Sequence, residues 1–297
     1  MGKFDIERFV SLSKAVDLSD IDWAEAARVG LTDEEYRILR FLSDTESHTM
    51  LYLRDLLSGG AAHEPEVMTF LSCWVYEEMH HGRAIDRMMK ACGRAPNGYT
   101  DTSTRTSLRE LLTGSLSRLA ASTSPHFRAL HMAWGAVNEC TAAATYQSLA
   151  QRTANRPLAM LVSKLARDER RHFSFYFHQA HQRLADGGWA VQRFTAWALK
   201  KFWAPPGSGV GEPASLDLMA TYLFGDATGV ADIEAVDASI RRLPGLGGFD
   251  MVSRWVEDAK RRAPARPVPA AAVSETTTTA AAGARSDARS SSVDVAA

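Results

Sequence analysis

Two short stretches pair acids with imidazoles: Glu77-Glu78-Met79-His80-His81 and Asp168-Glu169-Arg170-Arg171-His172. Each holds a Glu and a His three residues apart, which puts both side chains on one face of a helix. In the first stretch Glu77/His80 and Glu78/His81 share this spacing, and the helical register decides between them. The row through the latter pair reads Leu71, Trp74, Val75, Glu78, His81, Ile85, Met88, Met89, apolar on both sides. The row through Glu77 runs into Cys73, His80, Arg83 and Ala84 and is mixed. Glu78 and His81 are therefore expected on the buried face. In the second stretch the row Leu161, Val162, Leu165, Glu169, His172, Tyr176 is again an apolar stripe broken by one Glu and one His.

Two further apolar rows carry one acid each. One is Leu39, Leu42, Glu46, Thr49, Met50, Leu53, and the other is Met132, Gly135, Ala136, Glu139, Ala142, Ala143, Tyr146. Ionised groups on a buried face are costly unless paired or bound to metal. The chain order is thus Glu46, Glu78-x-x-His81, Glu139, Glu169-x-x-His172, the ligand set of helix bundles that hold two metal ions. Four carboxylates balance two divalent ions, and carboxylate with imidazole suits iron or manganese better than thiolate does. Two iron ions are the expected cofactor, with an iron–manganese pair as the other option. Glu77 and Asp168 each precede a ligand Glu and are expected to accept the outward imidazole N–H of the opposite motif, Asp168 from His81 and Glu77 from His172. One Glu-x-x-His alone is weak evidence; the joint pattern carries the inference.

These side chains need long helices to bring them together. The 3.6-residue period predicts helices from Thr32 to Leu57, Pro65 to Ala91, Pro125 to Thr153 and Arg156 to Ala185, with a crossover helix over about Thr106 to Ala121. Shorter helices are predicted over Trp189–Trp203, Ser215–Phe224, Ala231–Arg242 and Gly248–Arg262, and no alternating strand pattern occurs. The fold class expected is all-α: a four-helix bundle over about 33–186 with a crossover connection and accessory helices at 189–262, the whole forming one domain over 1–262. Residues 263–297 lack aromatics, Leu, Ile and Met, and read as a disordered tail.

A net charge of -1 over 297 residues argues against general nucleic-acid binding. Three scattered cysteines, Cys73, Cys92 and Cys140, fit a reducing, cytoplasmic setting. No secretory signal and no membrane span are expected from the hydropathy pattern.

At its paired motifs the chain resembles the soluble acyl-carrier-protein desaturases of the ferritin-like superfamily. The family's W-x-x-E-E-N-R-H-G is matched by Trp74-Val75-Tyr76-Glu77-Glu78-Met79-His80-His81-Gly82, and its D-E-K-R-H by Asp168 to His172. The resemblance covers roughly Glu34 to Tyr176. It implies terminal ligands at Glu46 and Glu139, bridging ligands at Glu78 and Glu169, and one metal bound by each of His81 and His172. It further implies oxygen-dependent removal of two hydrogens from an acyl chain on an acyl carrier protein, electrons from a ferredoxin-type donor, and a homodimer. The chain departs from the family where a Thr is expected three residues after Glu139; Ala142 stands there and Thr141 is one residue early. A ferritin-like hydroxylase or N-oxygenase acting on a small or carrier-bound metabolite is the alternative, followed by iron oxidation or storage.

The other histidines, His48, His63, His126, His131, His178 and His181, read as structural or surface groups, and Cys140 as a buried thiol. Trp74 reads as a core aromatic or as part of an electron path. Gly135, Ala142 and Ala143 either open room beside the metals or permit close helix packing. Lys200-Lys201 and Arg170-Arg171 read as solvated charge or as part of a docking surface. Met50, Leu53, Met88 and Met89 serve equally as core or as the lining of an acyl channel.

Overall fold

Helix initiation is written locally at most of the element starts. Thr32 and Glu35 form a reciprocal capping box, with the Glu35 N–H donating to Thr32 Oγ1 and the Thr32 N–H to Glu35 Oε2. Pro65, Pro125 and Pro157 occupy first-turn positions, where a missing N–H removes no helical bond. Asn155 accepts from the Leu158 N–H and also donates to the carbonyls of Ala26 and Gly30, tying one helix start to another helix end.

The computed structural model describes residues 4–57, 64–96, 124–208 and 213–263. Every regular element among them is a helix: α1 (Ile6–Leu12), α2 (Trp23–Val29), α3 (Asp33–Leu57), α4 (Pro65–Ala91), α5 (Pro125–Arg152), α6 (Arg156–Phe202), α7 (Pro213–Phe224), α8 (Ala227–Ile240) and α9 (Met251–Arg262). Two long pairs form the bundle, α3 with α4 and α5 with α6. The short α1 lies on α4, α2 sits between α4 and α6, and α7, α8 and α9 pack on one another and against α3 and α5. The expected crossover helix at 106–121 and the tail from 264 onward lie outside the described residues, as does His63.

The helices predicted over Arg156–Ala185 and Trp189–Trp203 are both present as one continuous element, α6, which is broken only by the left-handed Gly188 at φ 64°. That conformation suits a residue without a Cβ.

The core is dominated by large side chains from the four long helices, with Phe70 of α4 and Phe175 of α6 stacked at 3.8 Å between ring centroids. Burial of this kind, at ~25 cal/mol per Å² of apolar surface, is what holds the helices at fixed register. Small residues set two close approaches. Gly82 faces α3, where an added Cβ would lie 3.4 Å from Glu46 Cβ. At Gly135 a Cβ would collide with the Tyr176 ring, so α5 and α6 meet there only because the position is glycine.

Candidate metal centre

The bundle brings all six acids and imidazoles from the four apolar rows to one place. Glu46 comes from α3, Glu78 and His81 from α4, Glu139 from α5, and Glu169 and His172 from α6, and all are buried. They form two overlapping clusters, Glu46/Glu78/His81/Glu169 and Glu78/Glu139/Glu169/His172, with donor atoms within 4.8 Å of one another in each. Glu78 and Glu169 belong to both.

Both imidazoles point Nδ1 inward. His172 Nδ1 lies 3.1 Å from Glu78 and 3.2 Å from Glu169, and His81 Nδ1 lies 3.1 Å from Glu169. The outward nitrogens meet acids of the opposite helix: His172 Nε2 is 2.8 Å from Glu77 and His81 Nε2 is 3.4 Å from Asp168. Arg171 ties these two acids together, donating to Glu77 at 2.7 Å and Asp168 at 2.8 Å.

Two features of this flank differ from the register argument. Glu77, whose row looked mixed, is fully buried. The chain before α2 covers it: the Lys14 N–H donates to Glu77 at 3.2 Å, and the Phe9 ring lies under the Arg171 guanidinium at 5.5 Å. Arg171 itself was read as solvated charge or as part of a docking surface, not as a partner of the two acids. Its spacing of three from Asp168 was the available signal, since that spacing supports a helical ion pair.

The electrostatics describe a site balanced by protons. Burial, then repulsion from Glu78, raises Glu46 well above the usual carboxylate range. Burial likewise raises Glu139. Burial opposes ionisation of Glu78 too, but hydrogen bonds with Glu46, His172 and His81 outweigh it and hold that carboxyl well below its usual range. Burial disfavours charge on His81 and His172, yet hydrogen bonding to Asp168 and Glu169 for the first, and to Glu139 and Glu169 for the second, raises both well above ordinary histidine. Protons are thus favoured on Glu46, Glu139 and both imidazoles of the metal-free cluster. Two divalent ions supply the same charge in place of those protons. The donor set is carboxylate and imidazole only, which fits iron or manganese. His81 Nδ1 and Glu169 Oε1 face each other at 3.1 Å inside the cluster, both buried and both turned toward its centre.

The opposite flank is open. A cavity of about 470 Å³ is lined by Glu46, Glu78, Glu139 and Glu169, but by neither histidine. Its walls are Trp74, Trp134, Gly135, Ala142 and Tyr176, with polar contributions from Thr45, His48, Thr49 and Asn138 and a segment, Ala204–Ser208, that follows α6. Gly135 and Ala142 therefore border open space, and Gly135 also permits close packing. His48, read as a structural or surface group, stands in this wall. Its Nδ1 lies 2.6 Å from the Asp44 carbonyl, to which it donates. The Trp203 indole donates to Asn138 Oδ1 at 3.1 Å and anchors the 204–208 segment. Thr141 does not substitute for the missing Thr, because its hydroxyl donates to the Val137 carbonyl. At the cluster's edge, the Tyr146 hydroxyl donates to Glu46.

The remaining sequence readings fall as follows. Trp74 is buried, stacks beside Phe70 at 6.4 Å, and lines the cavity. His178 is buried and accepts the Phe4 N–H. Burial pushes the Cys140 thiol up to about 12, an unreactive state. Met88 and Met89 are core residues away from the cavity wall, whereas the side chains of Met50 and Leu53 lie outside what is described.

No family model matches the chain, and no curated protein matches it. Solved structures do. An R2-like ligand-binding oxidase with an aerobically reconstituted metal cofactor after photoconversion is 16% identical, with a TM-score of 0.53 over 86% of this chain and 90% of that one. A tyrosine-to-phenylalanine variant of an R2-like ligand-binding oxidase with an aerobically reconstituted Mn/Fe cofactor is 16% identical, with a TM-score of 0.50 over the same shares. At this identity the likeness is one of fold, and the fold is the all-α ferritin-like bundle.

Proposed function

We propose that this chain is an oxygen-dependent dimetal oxidoreductase that acts on an organic molecule held in the cavity beside its carboxylate cluster. The observation that carries the reading is the pair of four-residue clusters sharing Glu78 and Glu169. The similar solved structures, an R2-like oxidase and its Mn/Fe-loaded variant, support the same class. In this reading residues 1–262 are the functional domain. Glu46 and His81 hold one ion, Glu139 and His172 the other, and Glu78 and Glu169 serve both. When bound, an Fe/Fe or Mn/Fe pair supplies the activation of oxygen that no side chain here provides.

The chain's own residues do the rest. Glu77 and Asp168 fix the outward nitrogens of the two imidazoles, so each ring keeps Nδ1 turned inward. Arg171 keeps both acids ionised; burial opposes their charge, but their hydrogen bonds to His172 or His81 and to Arg171 hold both carboxyls below their usual range. Tyr146 occupies one Glu46 oxygen and leaves the other for metal. Trp74, Trp134 and Tyr176 shape the space where a substrate would lie.

Desaturation of an acyl chain on a carrier protein, with electrons from a ferredoxin-type donor, is the specific reaction that the motif resemblance supports. Hydroxylation or N-oxygenation is the second reading, favoured by the polar wall of His48, Asn138 and Thr45, which suits a functionalised substrate better than a bare acyl chain. Iron storage needs no such cavity. The test is turnover of metal-loaded protein with oxygen, a ferredoxin-type donor and either carrier-bound acyl chains or small amine and arene substrates. Product lighter by two hydrogens supports desaturation, and product heavier by one oxygen supports the second reading. Absence of both products and of oxygen uptake contradicts the proposal.

A further inference from the structure

The part of α6 beyond Gly188 has a chemistry unlike the rest of the chain. Residues 189–203 contain five aromatic side chains, with Arg193, Lys200 and Lys201, and no Asp or Glu, within a chain of net charge -1. Trp189, Arg193, Trp197 and Lys201 recur every four residues and so share one face. The buried row, Val191, Thr195, Ala198 and Leu199, lies on the other. Trp189 is 71% exposed, Trp197 56% and Phe202 59%, large values for apolar side chains of this size.

The rings are held ready rather than splayed. The Arg193 guanidinium sits over Trp189 at 5.1 Å, and the Phe202 ring meets Trp197 edge-on at 5.5 Å between centroids. The helix ends at Trp203, whose indole is bonded to Asn138, and passes directly into the segment that walls the cavity.

We propose that this stripe docks the chain on an anionic lipid surface. Indoles settle at headgroup level, with their ring bodies toward the acyl chains and N–H groups toward water. Arg and Lys beside them are drawn to anionic headgroups, and no carboxylate on this stretch opposes that attraction. No described helix is long and apolar enough to cross a membrane, so the contact is with the surface. A second copy of the chain laid symmetrically on the same face would set Arg193, Lys200 and Lys201 against themselves, which like-charge repulsion disfavours. Docking needs no metal and stands apart from the proposed oxidase. Only its consequence, that a lipid-soluble substrate would start beside the cavity wall, rests on that reading.

Flotation of the full chain with vesicles tests the proposal. The probes are neutral phosphatidylcholine vesicles and vesicles with roughly one-third phosphatidylglycerol. The wild type is expected to float with the anionic vesicles, to bind neutral ones far less, and to be released by high salt. An Arg193→Glu, Lys200→Glu, Lys201→Glu variant should bind on the order of a hundredfold more weakly or worse, since each cation contributes about a factor of five. A Trp189→Ser, Trp197→Ser variant should lose binding to the same vesicles while keeping its circular dichroism. The proposal is overturned by a wild type that floats with neither vesicle, or by variants that float as well as the wild type. Two other results also overturn it: a wild-type dimer split by Trp197→Ser in the absence of lipid binding, and capture of an acyl carrier protein through the stripe without vesicle binding.

Discussion

The two flanks of the metal cluster are built to opposite ends. On the histidine flank, every outward nitrogen meets an acid, both acids meet Arg171, and the chain before α2 closes over them. On the carboxylate flank, four Glu side chains border a cavity of about 470 Å³ walled by aromatic and small residues. The difference teaches where rigidity and where access are placed. The outward imidazole nitrogens and their two acids are paired on one side, and space for a reactant is left on the other.

Acidification should break the cluster that both flanks share. The metal-free site favours protons on Glu46, Glu139, His81 and His172, all raised above their usual ranges. Metal must displace those protons, so apparent affinity rises with pH and bound metal is lost as pH falls. Equilibrium dialysis against iron or manganese across a pH series checks the sign, and proton release on metal addition checks the exchange.

Breaking the closed flank alone is the next largest effect. Arg171→Ala removes the guanidinium shared by the buried Glu77 and the half-buried Asp168 and leaves each acid only its imidazole partner. A loss of about 3 kcal/mol is expected in denaturant unfolding, with weaker metal retention, whereas Arg171→Lys should recover part of it. Filling the open flank separates the two roles. Gly135→Ala forces Tyr176 to move within the cavity wall. Turnover should fall up to a hundredfold while metal content stays at the wild-type level. Trp203→Phe, which deletes the indole bond to Asn138, should cost about 1 kcal/mol in thermal unfolding, and it should alter KM more than kcat.

The contrast between the flanks also explains what the sequence disclosed. The four ligand rows were legible because a buried acid or imidazole interrupts an apolar period, and long helices preserve that period over many turns. The boundaries Asp33–Leu57 and Pro65–Ala91 follow from a capping box and a first-turn proline, both local signals. The partner of Glu77 was legible, but its full burial was not, because its cover comes from residues 4–14, far away in sequence and without a period of their own. The cavity was out of reach for a similar reason: its wall includes 204–208, which returns across the bundle after α6. Gly188 was legible as a break, but local sequence does not tell a kink from an end when apolar residues resume at once.

Metal content per chain tests the central claim most directly. It should be measured by elemental analysis on wild type and on a Glu78→Ala, Glu169→Ala variant, each reconstituted anaerobically with ferrous iron, with and without manganese. Because Glu78 and Glu169 belong to both clusters, the account predicts two ions per chain in the wild type and loss of both together in the variant. A wild type that takes up no metal, or a variant that keeps both ions, would contradict it.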